Sequence, residues 1–280
     1  MIVYRTKSDL SGHLLSLKNE GKTIGLVPTM GALHNGHASL VEIANAENDV
    51  VVVTIFVNPT QFNDLSDLDH YPRTLDQDLD LLRKLEADLV FVPSIKEMYP
   101  EEDTQTFDLG GLDKVMEGKQ RKGHFKGVAQ IVSKLFLLIR PNHAYFGMKD
   151  FQQLVVIRKL VEIMDLDLSI IPCPIVREKD GLAMSSRNTR LSKEARKLAP
   201  FIYETLFQAY ELKEELTPSQ LKEWVTLQFK MQEELKLEYF EIVEDKGLMP
   251  IEEWDKKMNK VACLAVQLEE IRLIDNLNFD

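Results

Sequence analysis

Short apolar runs alternate with amphipathic segments over the first part of the chain. The clearest runs are rich in β-branched residues and occupy residues 24–28, 50–57 and 89–93. Runs of this kind are typical of strands buried on both faces of a parallel sheet. Apolar residues with helical spacing predict helices over residues 8–18, 37–47, 74–85 and 151–164, and residues 168–172 form one further strand-like run. The alternation predicts a Rossmann-like, doubly wound parallel sheet of the α/β class.

The pattern changes after Arg177. Helical periodicity covers residues 192–212 and 219–234. The second of these segments follows Thr217 and Pro218, and Gln220 lies three positions after the threonine. A threonine, a first-turn proline and a third-position glutamine form the capping-box pattern of a helix start.

Short alternating segments close the chain and predict a second sheet. They cover residues 238–243, 262–267 and 271–274. Helices followed by strands are typical of an α+β arrangement. We therefore expect a larger domain over residues 1–176 and a smaller C-terminal α+β domain, which acts as a lid, over residues 177–280.

Composition and charge exclude several classes of protein. The 280 residues are 44% hydrophobic and 28% charged, which is typical of a compact globular chain. A net charge of −11 argues against nucleic-acid and anionic-membrane partners, because both require dense surface Lys and Arg. No apolar run is long enough to cross a bilayer, and no signal peptide is visible. Cys173 and Cys263 lack metal-ligand spacing and are expected to be buried thiols of a cytoplasmic protein.

One stretch departs from the acidic balance. Between Gly118 and Gly127 the chain carries a cluster of basic residues: Lys119, Arg121, Lys122, His124 and Lys126. Two interpretations are open for this stretch. It is either a solvated loop without function, or a mobile basic flap over a polyanionic ligand such as triphosphate.

Candidate chemistry first appears directly after the run at residues 24–28. Residues 28–37 read Pro-Thr-Met-Gly-Ala-Leu-His-Asn-Gly-His and open a predicted helix. Backbone N–H groups at such a helix start are expected to face a phosphate, which Gly31 and Gly36 allow to approach closely. His34 and His37 are three residues apart and can donate hydrogen bonds to phosphoryl oxygens on one side. A metal site is the alternative, but the third ligand and the Glu of a helical zinc motif are missing.

Three further segments carry groups that suit a phosphorylated or hydroxy-acid ligand. Gln61 follows the run at residues 50–57, where Pro59 ends the strand, and its amide offers a donor and an acceptor. Lys149 and Asp150 place an ammonium beside a carboxylate, which suit a phosphoryl group and Mg²⁺ respectively. Two hydroxyls and a guanidinium at residues 185–187 are by themselves typical of an ordinary loop, but the segment resembles a mobile loop of nucleotide-binding enzymes, which implies that these groups follow a leaving pyrophosphate.

These motifs also carry a family resemblance. The His-x-Gly-His motif resembles the signature of the nucleotidylyltransferase superfamily. The longer string resembles that of the pantothenate synthetases, the pantoate–β-alanine ligases, in particular. Five further segments match that family in order: residues 56–62, 71–74, 123–128, 146–153 and 180–188. The resemblance is strong from residue 24 to about residue 191.

The resemblance implies roles for individual residues. It implies catalytic roles in phosphoryl stabilisation for His34, His37 and Lys149, pantoate binding by Gln61 and Gln153, and β-alanine binding by Gln61. It implies ATP binding by Met30, Gly31, Ala32, Leu33, His34, Asn35, Gly36, His37, Gly147, Met148, Lys149, Asp150, Val176, Met184, Ser185, Ser186 and Arg187. Asp150 is the candidate Mg²⁺ ligand. Ala183 and Ser186 stand where the mobile loop of the wider superfamily carries lysines, which leaves Lys149 and Arg187 as the expected cations.

The implied activity is the ATP-dependent condensation of (R)-pantoate with β-alanine. The products are pantothenate, AMP and pyrophosphate, and pantoyl adenylate is the intermediate. The enzyme would be an acid–amino-acid ligase of pantothenate and coenzyme A biosynthesis, with ATP and Mg²⁺, and the family implies a homodimer formed through the larger domain. Two alternatives stay open: another small-molecule nucleotidylyltransferase, or a nucleotide-binding sensor with a decayed site.

Overall fold

A computed structural model describes residues 1–255 and 257–280. The chain forms two compact units. The first unit contains Met1–Met148 and Val156–Pro174, and the second contains Lys149–Val155 and Ile175–Asp280. The domain boundary after residue 176 and the lid role of the C-terminal domain stay predictions.

The strands and helices are as follows. The strands are β1 (Ile2–Tyr4), β2 (Ile24–Thr29), β3 (Val50–Ile55), β4 (Leu89–Phe91), β5 (His143–Gly147), β6 (Ser169–Cys173), β7 (Leu235–Glu244), β8 (Lys260–Leu268) and β9 (Ile271–Asn278). The helices are α1 (Lys7–Asn19), α2 (Asn35–Glu47), α3 (Leu65–Asp69), α4 (Leu75–Lys84), α5 (Ile95–Met98), α6 (Met116–Gln120), α7 (His124–Ile139), α8 (Phe151–Ile163), α9 (Lys193–Leu198), α10 (Phe201–Glu211) and α11 (Pro218–Lys230).

The first unit contains a six-stranded parallel sheet. The strand order is β1-β4-β3-β2-β5-β6, and every pair of neighbours runs parallel. The central β3 is fully buried, as its continuous valine run predicts. The doubly wound α/β sheet predicted from the sequence is confirmed. β1 and β5 are additional strands that the hydrophobic pattern did not indicate, because β1 has three residues and β5 contains His143, Ala144 and Gly147.

The basic stretch at residues 118–127 is not a loop. The chain leaves α6, turns at Gly123 with a left-handed φ of 85°, and enters α7 at His124. His124 is buried, whereas Lys122 and Lys126 are exposed. The loop interpretation is therefore wrong: the stretch contains the end of one helix and the start of another. α7 continues through an apolar face that is packed into the first unit.

The second unit is an antiparallel sheet, β7-β8-β9, with helices that share its core. The helix predicted over residues 192–212 is two helices, because Pro200 has no N–H to continue the first one and instead is the N-cap residue of α10. The capping box at the start of α11 is confirmed. The Gln220 N–H donates to the Thr217 hydroxyl at 3.3 Å, and the Thr217 N–H donates to the Gln220 side chain at 2.9 Å.

Two observations bear on the expectations drawn from composition. Cys173 and Cys263 are both buried, as predicted, and burial raises the pKa of the Cys173 thiol to about 11. Within residues 1–255 and 257–280, no helix is both long and apolar enough to cross a bilayer.

A buried ion pair ties the start of the second unit to its last strand. The Arg177 guanidinium donates to both carboxylate oxygens of Asp275, at 2.6 and 3.0 Å. It also donates to the backbone carbonyl oxygen of Gly181 at 3.1 Å and lies 3.9 Å above the centroid of the Tyr203 ring. Asp275 is almost completely buried, which raises the pKa of its carboxyl group, and the Arg177 guanidinium opposes that rise.

We expect Asp275→Asn to lower the free energy of unfolding by about 3–5 kcal/mol, because it leaves a guanidinium whose side chain is only 17% exposed without its anion. Urea denaturation measures the loss. The matched control is Glu194→Gln, which breaks an exposed pair with Lys197 and should cost about 0–1 kcal/mol. Equal, small losses in the two variants would contradict the structural importance of the buried pair.

Candidate active site

The order of strands in the sheet reverses between β2 and β5. From β2 the chain builds the sheet outward through β3 and β4, whereas β5 and β6 extend it on the other side. In open α/β sheets, ligands bind at such a switch point, outside the carboxyl ends of the strands. The turn that contains His34 and His37 follows β2, and Gly147 and Met148 lie at the end of β5. The topology therefore brings two of the predicted ATP-binding segments to one edge of the sheet.

A buried carboxylate, Asp78, shapes the turn between β2 and α2. Its two oxygens accept the backbone N–H groups of Ala32, at 2.9 Å, and Leu33, at 2.8 Å. The Thr74 hydroxyl donates to the same carboxylate at 3.1 Å. Only 2% of Asp78 is exposed. Sequence reasoning missed this residue, although a signal was present: Asp78 lies on the apolar face of α4, one position before Leu79.

Glycine is required at position 31. Its φ is +81°, in the left-handed region, and a Cβ there would lie 3.0 Å from the Asp78 carboxylate and 3.1 Å from the Ile55 side chain. The Gly31 N–H donates to the Thr29 hydroxyl at 3.1 Å. The turn therefore closes tightly around the carboxylate.

The two histidines cap the helix that they begin. The Gly36 N–H donates to His34 Nδ1 at 3.1 Å, and the His34 N–H donates to His37 Nδ1 at 3.4 Å. The ring centroids are 4.1 Å apart. Because each Nδ1 accepts a hydrogen bond, each neutral ring carries its proton on Nε2. The local fold thus makes both Nε2 atoms donors.

The expectation that backbone N–H groups of this turn face a ligand is wrong for most of them. Those of Gly31, Ala32, Leu33, His34 and Gly36 donate to side chains of the protein. The two imidazoles add Nε2 donors that suit a phosphoryl group.

Gln61 lies in a network at the end of β3. A 3-10 turn, Pro59–Gln61, follows the strand, and Gln61 is buried there. Its Oε1 accepts from the Asn58 side chain at 3.0 Å, and its Nε2 lies 3.2 Å from the Met30 sulfur. Gln61 is thus in contact with the segment that leads to the histidines.

The start of α7 packs against the Pro59–Gln61 turn. The backbone carbonyl oxygen of Gln61 lies 2.9 Å from His124 Nδ1, and Arg121 Nη1 lies 3.1 Å from His124 Nε2. A carbonyl oxygen only accepts and a guanidinium only donates, so His124 is neutral with its proton on Nδ1. A Cβ on Gly127 would lie 2.2 Å from the Thr60 carbonyl oxygen, so only glycine allows α7 to approach this turn.

The other predicted residues belong to the second unit. Lys149 Nζ lies 3.6 Å from the Asp150 carboxylate, and the Lys149 carbonyl oxygen accepts from the Asn276 side chain at 2.9 Å. Gln153 is half-buried in the first turn of α8. Its role and that of Gln61 stay predictions.

The predicted pyrophosphate loop lies in the second unit and leads into a 3-10 helix. The Met184 N–H donates to the carbonyl oxygen of Val176 at 3.0 Å, which brings these two predicted residues together. The Ser185 hydroxyl accepts from the Arg187 N–H at 3.2 Å and caps a 3-10 helix, Ser186–Arg190. These contacts hold the backbone of the loop.

The arrangement of the acidic side chains indicates how Mg²⁺ could be bound. In the part of the chain that the structure describes, no group of three or more His, Cys, Asp or Glu side chains is arranged to hold a metal ion. About half of the Asp150 side chain is exposed. One exposed carboxylate fits Mg²⁺ that is bound mainly by substrate phosphates and water.

Comparisons with known proteins agree with this geometry. A family model described as Pantoate-beta-alanine ligase matches residues 2–278. The pantothenate synthetase of Porphyromonas gingivalis is 50% identical over 280 residues, with 100% of both chains covered. That of Bacteroides fragilis is 52% identical over 279 residues, with 100% of this chain and 99% of the relative covered.

Solved structures give the same result. The pantothenate synthetase of Thermus thermophilus is 39% identical with a TM-score of 0.93, and 100% of this chain and 99% of that one are covered. The pantoate-beta-alanine ligase of Francisella tularensis, complexed with beta-gamma ATP and beta-alanine, is 35% identical with a TM-score of 0.81. The match covers 100% of this chain and 98% of that one. The resemblance drawn from the motifs is confirmed. The chain belongs to the pantoate-beta-alanine ligase family, whose members are ligases that form a C–N bond.

Proposed function

We propose that the chain uses ATP to condense (R)-pantoate with β-alanine, which yields pantothenate, AMP and pyrophosphate. Besides family membership, one structural observation supports this reaction. At the switch point of the sheet, two imidazoles use Nδ1 to cap α2 and therefore carry a donor hydrogen on Nε2. Donors held in this way suit the charge that develops on phosphoryl oxygens during adenylyl transfer.

In the first half-reaction, a carboxylate oxygen of pantoate attacks the α-phosphorus of ATP. The bond from that phosphorus to the bridging oxygen breaks, and pyrophosphate leaves with the electron pair. We assign His34 and His37 to hydrogen bonding with phosphoryl oxygens and Lys149 to neutralising their charge. The remaining proposed contacts to ATP come from Met30, Gly31, Ala32, Leu33, Asn35, Gly36, Gly147, Met148, Asp150, Val176, Met184, Ser185, Ser186 and Arg187.

In the second half-reaction, the neutral amine of β-alanine attacks the acyl carbon of pantoyl adenylate. The amide C–N bond forms, AMP leaves, and the amine loses a proton to solvent. We assign Gln61 and Gln153 to pantoate and Gln61 also to β-alanine. The chain forms no covalent bond in either step, so catalysis rests on positioning, which can contribute about 7–11 kcal/mol.

Magnesium would accompany the triphosphate. When bound, it supplies positive charge to the phosphate oxygens. Asp150 is the proposed ligand of this chain, since its carboxylate is half-exposed next to Lys149.

The family resemblance also supports proposals about the state of the protein. We propose that it is a homodimer formed through the larger domain. Its two buried thiols suit the reducing conditions of the cytoplasm, where we propose that it acts.

The function is tested by measuring AMP with ATP, pantoate and β-alanine, and by omitting each in turn. We expect AMP release only with all three. Without β-alanine, labelled pyrophosphate should exchange into ATP provided that pantoate is present, because the first half-reaction is reversible. Pantoate labelled with ¹⁸O in its carboxylate should transfer one label to AMP. Label in inorganic phosphate, or exchange that requires β-alanine, would overturn the acyl-adenylate route.

Substitutions at His37 distinguish its role in capping α2 through Nδ1 from its proposed role as a hydrogen-bond donor through Nε2. Glutamate is a natural third-position capping residue, so His37→Glu should preserve the acceptor for the His34 N–H, while its ionised carboxylate has no hydrogen to donate. We expect both His37→Glu and His37→Ala to lower kcat by about 10²–10³, with little change in ATP affinity for the alanine variant. Thermal unfolding should be near normal for the glutamate variant.

The matched control for these variants is His70→Ala, which removes an exposed histidine bonded to a backbone carbonyl oxygen. Its kcat should stay at the wild-type value. Near-normal turnover in His37→Glu would reject the phosphoryl role and leave only the cap.

Variants at the two glutamines test the proposed pantoate contacts. Gln61→Ala and Gln153→Ala should raise the KM for pantoate while the KM for ATP changes little, since neither side chain belongs to the proposed ATP contacts. Steady-state kinetics with each substrate varied in turn makes the comparison. Parallel increases in both KM values would count against separate binding roles.

A further inference from the structure

The side chain of Asn58 lies at the centre of a buried hydrogen-bond network. Its Nδ2 lies 3.1 Å from the Gly127 carbonyl oxygen and 3.0 Å from Gln61 Oε1. Its Oδ1 lies 2.8 Å from the Tyr99 hydroxyl and 3.1 Å from the Thr60 hydroxyl. Asn58 is 1% exposed, so its amide relies on these partners rather than on water.

The chemistry of the partners fixes the direction of every bond. The Gly127 carbonyl oxygen can only accept, so the Asn58 atom facing it is the NH₂ group. That group also donates to Gln61, whose facing atom must be the oxygen. The opposite atom of Asn58 is then an acceptor, and the Tyr99 hydroxyl donates to it. The amides of Asn58 and Gln61 therefore each have one orientation.

This orientation determines what Gln61 offers to a ligand. Its Oε1 is engaged by Asn58, and its NH₂ group faces the Met30 sulfur at 3.2 Å. Thioether sulfur is a weak acceptor, so this NH₂ group loses little when it donates to a carboxylate or hydroxyl oxygen instead. Gln61 acts as a donor in this arrangement, whereas sequence reasoning expected both a donor and an acceptor.

Tyr99 is the more sheltered of the two hydroxyls that hold Asn58. Thr60 is exposed, so water competes with its hydroxyl. The Tyr99 ring is half-buried, with the Phe56 ring centroid at 6.3 Å and Lys134 Nζ at 5.3 Å from its own centroid. Burial raises the pKa of Tyr99, which keeps the hydroxyl protonated and therefore a donor.

We propose that Tyr99 is a positioning residue for the ligase reaction: its hydroxyl holds the Asn58 amide, which turns the NH₂ group of Gln61 toward pantoate. The proposal rests on the proposed function, since it concerns the same pantoate contact. The proposal gives Tyr99 no contact of its own with the substrate. Tyr99 acts through two hydrogen bonds in series, from its hydroxyl to Asn58 and from Asn58 to Gln61, and it lies 41 residues after Asn58 in the chain.

The test compares Tyr99→Phe with Tyr4→Phe. Tyr4 is also half-buried in the first unit, and its hydroxyl bonds the His13 ring at 2.7 Å, whereas the Tyr99 hydroxyl bonds Asn58 at 2.8 Å and lies 3.3 Å from the Thr60 hydroxyl. We expect Tyr99→Phe to raise the KM for pantoate about 3–10-fold, the range for one buried hydrogen bond, with the KM for ATP unchanged. Tyr4→Phe should change neither. In a Gln61→Ala background, Tyr99→Phe should have no further effect, because its route to pantoate is gone.

A second measurement does not need activity. The side-chain amide signals of Gln61 in a ¹H–¹⁵N spectrum, identified by their loss in Gln61→Ala, should shift in Tyr99→Phe and not in Tyr4→Phe. If the wild-type protein forms no AMP from pantoate and β-alanine, the proposed function fails, while these signals still report the relay. Unmoved amide signals, an unchanged KM for pantoate, or additive effects in the double variant would overturn the role of Tyr99.

Discussion

The buried carboxylate of Asp78 and the two N–H groups that it accepts determine the path of the chain from β2 to α2. An unpaired carboxylate in this interior would cost several kcal/mol, so Asp78 needs the N–H groups of Ala32 and Leu33 as much as they need it. Gly31 lies against the same carboxylate, where a larger residue would collide. His34 follows directly, so the position of both imidazoles depends on a charge supplied by a different helix.

The same use of hydrogen bonding recurs at the other side chains of this edge. His34 and His37 each engage the backbone through Nδ1, and the ring proton is thereby assigned to the opposite nitrogen. Gln61 engages Asn58 through its oxygen, and its NH₂ group is thereby assigned to the opposite side. In each case a hydrogen bond accepted at one end of the side chain makes the other end a donor. Preorganised donors of this kind need little reorganisation when charge develops.

Much of the architecture follows from residues that are adjacent in the sequence. The valine run of β3 and the Thr217 capping box are local patterns, and both appear in the structure as predicted. The start of α7 was missed because its basic residues resemble a loop, although the left-handed turn that starts it needs only Gly123. Family motifs identified the histidines and the glutamines. Asp78 and Tyr99 were missed because their contacts join segments far apart in the chain, which no local pattern encodes.

The close approach of α7 to the Pro59–Gln61 turn also constrains how this sequence can change. A methyl group at position 127 would lie 2.2 Å from the Thr60 carbonyl oxygen, so even alanine would force the helix and the turn apart. That separation would lengthen the bond from Asn58 to the Gly127 carbonyl oxygen, the contact that sets the direction of the amides. Substitutions along the remainder of α7 can be accommodated by repacking of its apolar face. At position 127, by contrast, every substitution would disturb the contact between the helix and the turn.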